Sequence, residues 1–178
     1  MDAVALVRRL HQHRMWVNGQ LVEAAESLSA DQLEHAFPIG QGSVWKSLLH
    51  LYAAEYVWLE ALMGDESPVV PGDLPNRLPG NQEAKGAMTS LGELKDHWSA
   101  LDERWTSFLD RMTEAQLSEL VWKTSTRTKV RQATSQSDIL LHVCTHAHYT
   151  TAQVVNMLRQ LGVDSLPDAM LITMSRSE

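Results

Sequence analysis

The sequence predicts an all-α protein, a four-helix bundle. Three observations carry that expectation. Four segments, each roughly 20 to 27 residues long, repeat apolar residues at three- and four-residue steps, the period of a helix with one buried face. Capping residues and glycines punctuate their ends. A long connection rich in proline and glycine separates the second helix from the third, and few other architectures use such a pattern. With 178 residues, the chain is long enough for one domain with its own core, read as residues 1–178.

The first helix spans about Asp2 to Leu28, with Leu10, Val17, Leu21, Ala24 and Leu28 mostly in one stripe. Ser29 opens a short turn, and Gln32 completes a capping box with it. Gly40 and Gly42 break the chain, Ser43 caps a second helix from Val44 to about Met63, and Gly64 ends it. The segment 65–86 holds four of the six prolines and three glycines, so it reads as a long surface loop, of a length often functional or mobile. A third helix runs from about Leu91 to Met112, with Leu94, Trp98, Leu101, Trp105 and Phe108 or Leu109 on one stripe. Thr113-Glu-Ala-Gln-Leu then echoes Ser29-Ala-Asp-Gln-Leu. Residues 120–134, mixed and β-branched around a Ser-Thr-Arg centre, predict a short exposed β-hairpin. The last helix starts near Ser135 or Ser137 and ends near Leu161, where Gly162 is placed as a C′ glycine. The tail, 163–178, carries an apolar run from Ala169 to Met174 that is expected to pack back on the bundle.

Composition excludes several partners. A net charge of −7 without a basic cluster argues against binding a phosphate backbone, so no nucleic-acid partner is expected. No apolar run approaches the roughly 20 residues of a membrane helix. The N-terminus MDAVALVRRLHQHRMW has too short an apolar run for a signal peptide, and its basic residues follow that run. Cys144 is the single cysteine, so no intrachain disulfide forms. A cytoplasmic location follows as the default expectation.

The stretch HVCTHAHYTTAQ, from His142 to Gln153, packs three histidines into seven residues. On a wheel of about 100° per residue, His146 and Thr150 point close to the core side of the last helix, His142 and Gln153 lie at its edge, and His148 falls on the far face. His142 and His146 are one turn apart, a spacing that lets two imidazoles share a metal ion. The second helix offers His50, with small residues one turn away. Against this stands the plainer reading of such histidines as ordinary core or boundary residues.

Together these residues resemble the DinB/YfiT-like superfamily of four-helix proteins. Asn18-Gly-Gln-Leu-Val-Glu-Ala looks like that family's N-x-x-L-L-E-A stretch. The segment from Gly42 to His50 looks like the approach to its first ligand histidine, and Glu55 and Trp58 fit the spacing that follows it. His142-Val-Cys-Thr-His146, Gln153 and Leu158-Arg-Gln-Leu-Gly162 look like its last signature. The resemblance covers most of the chain. It implies a divalent metal, zinc, nickel or iron, held by three histidines, with His50 in the first place and His146 in the second. The third place falls on Thr150, a poor ligand for such ions. His142 is the possible substitute donor.

The same resemblance implies a thiol-dependent S-transferase or isomerase acting on a small molecule with a low-molecular-weight thiol. Gln153 would then hydrogen-bond a ligand or substrate, or serve only as a boundary polar residue. The residues leave the catalytic groups unassigned. Glu55, about 140° around the helix from His50, is expected at a surface or interface. Cys144 is expected to be a buried or interface thiol rather than a nucleophile. Trp45, Tyr52 and Tyr56 make a second apolar side on the second helix, which suggests a homodimer. The alternative is a dimeric bundle that holds no metal and binds a small molecule or a partner without catalysis.

Overall fold

The structure, a computed structural model, describes residues 2–126 and 128–178. Arg127, at the centre of the predicted hairpin, lies outside the described residues. Four long helices dominate: α1 (Ala3–Ala25), α3 (Val44–Leu62), α4 (Leu91–Asp110) and α5 (Gln136–Gln160). Two short helices, α2 (Ala30–Leu33) and α6 (Leu171–Ser177), and a hairpin of β1 (Leu120–Thr124) and β2 (Arg131–Ser135) complete the fold.

Local chemistry sets the boundaries. Asp2, Ser29, Ser43, Ser90 and Ser135 each accept a bond from a first-turn backbone N–H and so satisfy one of the donors a helix start leaves unpaired. At Ser29 the box is reciprocal, because Gln32 Oε1 accepts from the Ser29 N–H at 2.9 Å. Gly162 follows the end of α5 with φ +78°, a left-handed conformation that costs glycine little. α1 ends at Ala25, three residues short of the expected Leu28.

The long helices surround one core in the cyclic order α1, α5, α3, α4, each touching the next. Consecutive helices are therefore not always neighbours: α1 faces α3 across a diagonal, as α4 faces α5. Leu21, Leu48, Leu94, Trp105, Ile139 and Leu158 fill the centre with no more than 1% exposure. Truncating any of the leucines to alanine would cost about 2–5 kcal/mol. The stripe on α4 is as expected, with Leu94, Trp98, Leu101, Trp105 and Leu109 buried.

Polar groups occupy the middle of this core. Arg14 of α1 donates to Glu55 of α3 across the diagonal. Glu55 also accepts from Asn18 Nδ2 at 2.8 Å and from Trp98 Nε1 at 2.9 Å. Asp102 stands 3.6 Å from Arg14, too far for a hydrogen bond. Glu55 is fully buried, which corrects the expected surface position. The wheel angle was right, but that side of the helix faces the bundle axis and not solvent. His11, also fully buried, donates from Nε2 to the Leu140 carbonyl at 3.2 Å and lies on Trp105.

The hairpin pairs Leu120 with Ser135 through Thr124 with Arg131, antiparallel. Val121 is its buried anchor, and Trp122 lies outward under the Arg131 guanidinium, 4.0 Å from the ring centroid. Ser135 is both the last residue of β2 and the N-cap of α5, with its hydroxyl 3.2 Å from the Asp138 N–H.

Of the aromatic stripe on α3, Tyr52 is covered within the chain, while Trp45 and Tyr56 are half-buried. Tyr52 is buried against Trp98, edge to face, and α3 touches α4, α5 and β1. In the tail, Met174 is buried, but Met170, Leu171 and Ile172 are exposed, so the apolar run packs back only in part. Among the described residues, no helix is long and apolar enough to cross a membrane.

Candidate functional site

Helices α3 and α5 are adjacent, and their contact brings His50 and His146 together. The two rings meet edge to face, at 76°, with centroids 5.2 Å apart. His142, one turn earlier on α5, lies 5.8 Å from His146 and packs on the edge of Trp58. His148 is exposed on the far face, as expected. The three imidazoles thus form one row from the interior to the surface: His50 and His146 are half-buried, and His142 is exposed.

The surroundings of His146 and His142 favour their neutral rings. Burial pushes His146 down to about 4, and the neighbouring His50 and His142 add to the shift. His142 is also held below its ordinary value by desolvation. His50 is oriented by the 65–86 loop: its Nδ1 lies 2.9 Å from the Pro79 carbonyl. A carbonyl oxygen only accepts, so Nδ1 carries a proton, and in the tautomer this bond selects the lone pair is on Nε2.

Does this donor set fit a metal ion? Two imidazoles on one tetrahedral ion, with bonds of about 2.1 Å, have centroids about 5 Å apart. His50 and His146 meet that condition. The third donor does not converge: among the described residues, no three His, Cys, Asp or Glu side chains are placed to hold one ion. Thr150 is buried one turn beyond His146, at 3% exposure. The ring separation is thus compatible with two imidazoles sharing one ion and not with three, and His142 is the next imidazole along α5.

Gln153 is half-buried, with its amide against the Gly40 turn; a Cβ added at Gly40 would meet Gln153 Oε1 at 2.5 Å. Among the described residues it makes no hydrogen bond to the imidazoles. Cys144 is half-buried on the other side of α5, and burial pushes its thiol up to about 12, the state of an inert thiol. Glu55 is committed to Arg14 and is no general base.

Two neighbours were not legible as site residues. Lys123 of β1 places its ammonium 5.3 Å over the Trp58 ring, which in turn holds His142, so a cation stands behind the outermost imidazole. Trp58 was noted in the sequence only for its spacing from His50, and nothing paired it with a strand. A cavity of about 390 Å³ adjoins His50, lined by Trp45, Lys46, Gln41, Asn81 and Met88 among others. That size suits a small molecule.

The sequence profile of the DinB family matches residues 1–177. The chain belongs to the DinB family. Protein DinB of Bacillus subtilis (strain 168) is 26% identical over 163 residues, covering 89% of this chain and 88% of that protein. Among solved structures, the chain superposes on YfiT from Bacillus subtilis with a TM-score of 0.68 at 19% identity, over 91% of this chain and 90% of that one. YfiT is described as a probable metal-dependent hydrolase with an unusual four-helix bundle topology. A conserved protein of Enterococcus faecalis superposes with a TM-score of 0.62 at 17% identity, over 89% and 96% of the two chains. At these identities the likeness establishes the fold, the DinB bundle with its diagonal connections.

Proposed function

We propose that this DinB protein holds a divalent ion, zinc, nickel or iron, on His50 and His146, with His142 as a third donor after a side-chain rotation. The reaction we assign to it is a transfer or isomerisation on a small molecule that uses a low-molecular-weight thiol. The observation that carries the reading is the His50–His146 pair, at the separation two ligands of one ion require. Neutral imidazoles suit these ions, and both rings that face each other are supplied by rigid helices. A bound ion would lower the pKa of a thiol or a water beside it, which covers both thiol transfer and the hydrolysis suggested for YfiT. The chain's own part is to orient His50 through Pro79, to keep His146 unprotonated, and to offer the cavity beside His50 for the substrate.

The test is metal analysis of untagged protein, followed by calorimetric titration with zinc and nickel. We expect weak binding that His50→Ala and His146→Ala abolish and His142→Ala weakens. Consumption of thiol in the presence of an electrophile should follow metal loading. No heat of binding at millimolar metal would overturn the proposal.

One observation favours a second reading. The family resemblance puts Thr150 in the third-ligand place, and among the described residues no three His, Cys, Asp or Glu side chains converge on one ion. A bundle that binds a small molecule or a partner without metal accounts for both facts. It predicts metal-free protein with unchanged ligand binding after chelation.

A further inference from the structure

The loop from residue 65 to 86 is the surface connection the sequence predicts, and it is also knitted from within. Asp73, 7% exposed, accepts three hydrogen bonds: Oδ2 from the Gly80 N–H at 2.7 Å, and Oδ1 from the Gln82 N–H at 2.9 Å and from Gln82 Nε2 at 2.8 Å. Asn81 ties the same turn to the Leu74 N–H at 2.9 Å. Gln82 spans it, with Nε2 donating to the Pro71 carbonyl at 3.0 Å and Oε1 accepting from the Met88 N–H at 2.7 Å. Gln82 itself sits at φ +47°, a conformation that costs a non-glycine residue about 1 kcal/mol and persists only where its surroundings hold it.

This turn rests directly on α3. A Cβ added at Gly80, where φ is +87°, would lie 2.7 Å from His50 Cα and 2.7 Å from the Leu49 carbonyl oxygen. No side chain fits there. The residue before it, Pro79, is the one whose carbonyl meets His50 Nδ1. A single peptide unit thus links the two contacts: its carbonyl is on His50, and its N–H is on Asp73.

We propose that Asp73 is a positioning residue for His50: by holding the Pro79–Gly80 peptide against α3, it locks the imidazole as the Nδ1–H tautomer and leaves Nε2 as the free electron-pair donor. The chain of reasoning is short. A peptide plane is rigid, so anchoring its N–H fixes the direction of its carbonyl. A carbonyl fixed on Nδ1 determines the tautomer and the ring plane. Histidines that bind metals are commonly held in this way, and loss of such a partner typically lowers metal affinity by roughly 10- to 100-fold. A buried carboxylate accepting from two backbone N–H groups and an amide is a stiffer anchor than any neutral side chain.

The proposal rests on the metal-site reading for its purpose but not for its test. Long-range 1H–15N correlation spectra of labelled, metal-free protein at pH 8 report which nitrogen of each histidine is protonated, with His50→Gln assigning the signals. Wild-type His50 should show a protonated Nδ1 and a bare Nε2. Asp73→Asn keeps the size but turns one acceptor into a donor aimed at a backbone N–H. It should move His50 toward the Nε2–H form and weaken zinc binding by roughly 10- to 100-fold. Gln82→Ala, a milder loosening of the same turn, should act in the same direction, while Glu83→Gln on its exposed side should do neither.

A wild-type His50 protonated on Nε2 would overturn the proposal without any variant. A folded Asp73→Asn protein that keeps the Nδ1–H form would overturn it too. If the tautomer responds as expected but wild-type protein binds no zinc, Asp73 retains its positioning role and the metal-dependent function falls.

Discussion

Arg14 and Glu55 form an ion pair across the diagonal of the bundle, with each side chain only 1% exposed. Removing one partner leaves the other charge buried, which costs about 3–5 kcal/mol. Glu55→Ala should therefore lower stability by that amount, and Glu55→Gln by less, since it keeps an acceptor for Asn18 or Trp98. Replacing both residues with apolar ones of similar volume should recover much of the loss. Urea denaturation midpoints of the three variants decide it, and equal stabilities for Glu55→Ala and wild type would show that the pair contributes nothing.

Stability of the metal-free protein should be level near neutral pH and fall on acidification below about pH 6.5. Burial, and then the charge of Arg14, push His11 down to about 3, and His146 falls to about 4. In the unfolded chain both bind protons below about 6.5, so between pH 6.5 and 4 the unfolded state holds more protons and stability falls with acidification. Asp102 acts the other way. Burial first, and then the Glu55 charge, push it up from 3.8 to about 7, so the folded state holds the extra proton in that window and stability falls as pH rises. Two histidines outweigh one aspartate below about pH 7, and above it the small remaining contributions nearly cancel, so stability is level there. Thermal unfolding followed across pH 4 to 9 in a chelating buffer tests the shape; a plateau from pH 5 to 8 would contradict it.

Thr150→His should strengthen zinc or nickel binding at least tenfold, a gain of only about 1.4 kcal/mol. The position lies one turn beyond His146 and is buried, so an imidazole there adds a third nitrogen inside the bundle. The larger ring must also displace packed neighbours, and the metal-free variant should lose about 1–3 kcal/mol of stability. Calorimetric titration of both proteins measures the first effect and denaturation the second. Equal affinities would mean that position 150 does not face the site or that His142 already supplies the third nitrogen.

A homodimer, if this chain forms one, should use the face of α1, α5 and α6 rather than the aromatic side of α3. Tyr52 is spent on Trp98 within the chain, whereas Leu141, Met170 and Leu171 are exposed around one groove between these three helices. Light scattering at micromolar concentration should give twice the 20.0 kDa chain mass, and Leu141→Glu should halve it. A wild-type mass near one chain would remove the dimer from consideration.

The legible parts of this molecule were local. Ser29 with Gln32, Ser43 and the stripe on α4 signal their roles within one or two turns, and the structure has them as read. The pairing of His50 with His146 was legible because helical spacing fixes direction and the family pattern joins the two helices. The centre of the core was not. Arg14, Asn18 and His11 are polar, so a search for apolar periodicity on α1 passes over them, although they lie at the deepest positions of the bundle. Glu55 looked like a surface acid because its partner is 41 positions away. The Pro79 carbonyl had no signal at all, since a backbone acceptor has no letter in the sequence. The run from Ala169 to Met174 misled in the other direction: apolar identity alone does not say which residues find a surface to cover.

Ser135 ends a strand and caps a helix at once, so no residue lies between the hairpin and α5 to act as a swivel. The joint is mechanically stiff. His142 stands seven residues along, about 10 Å down a rod that rises 1.5 Å per residue. The position of the outermost imidazole is therefore tied directly to the direction in which β2 enters α5. Lys123 and Trp58 travel on the other two members of the same assembly, β1 and α3. The mouth of the site is in this sense built from three separate pieces of chain, and Arg131 of β2 ties a fourth, the 65–86 loop, to them through Glu66.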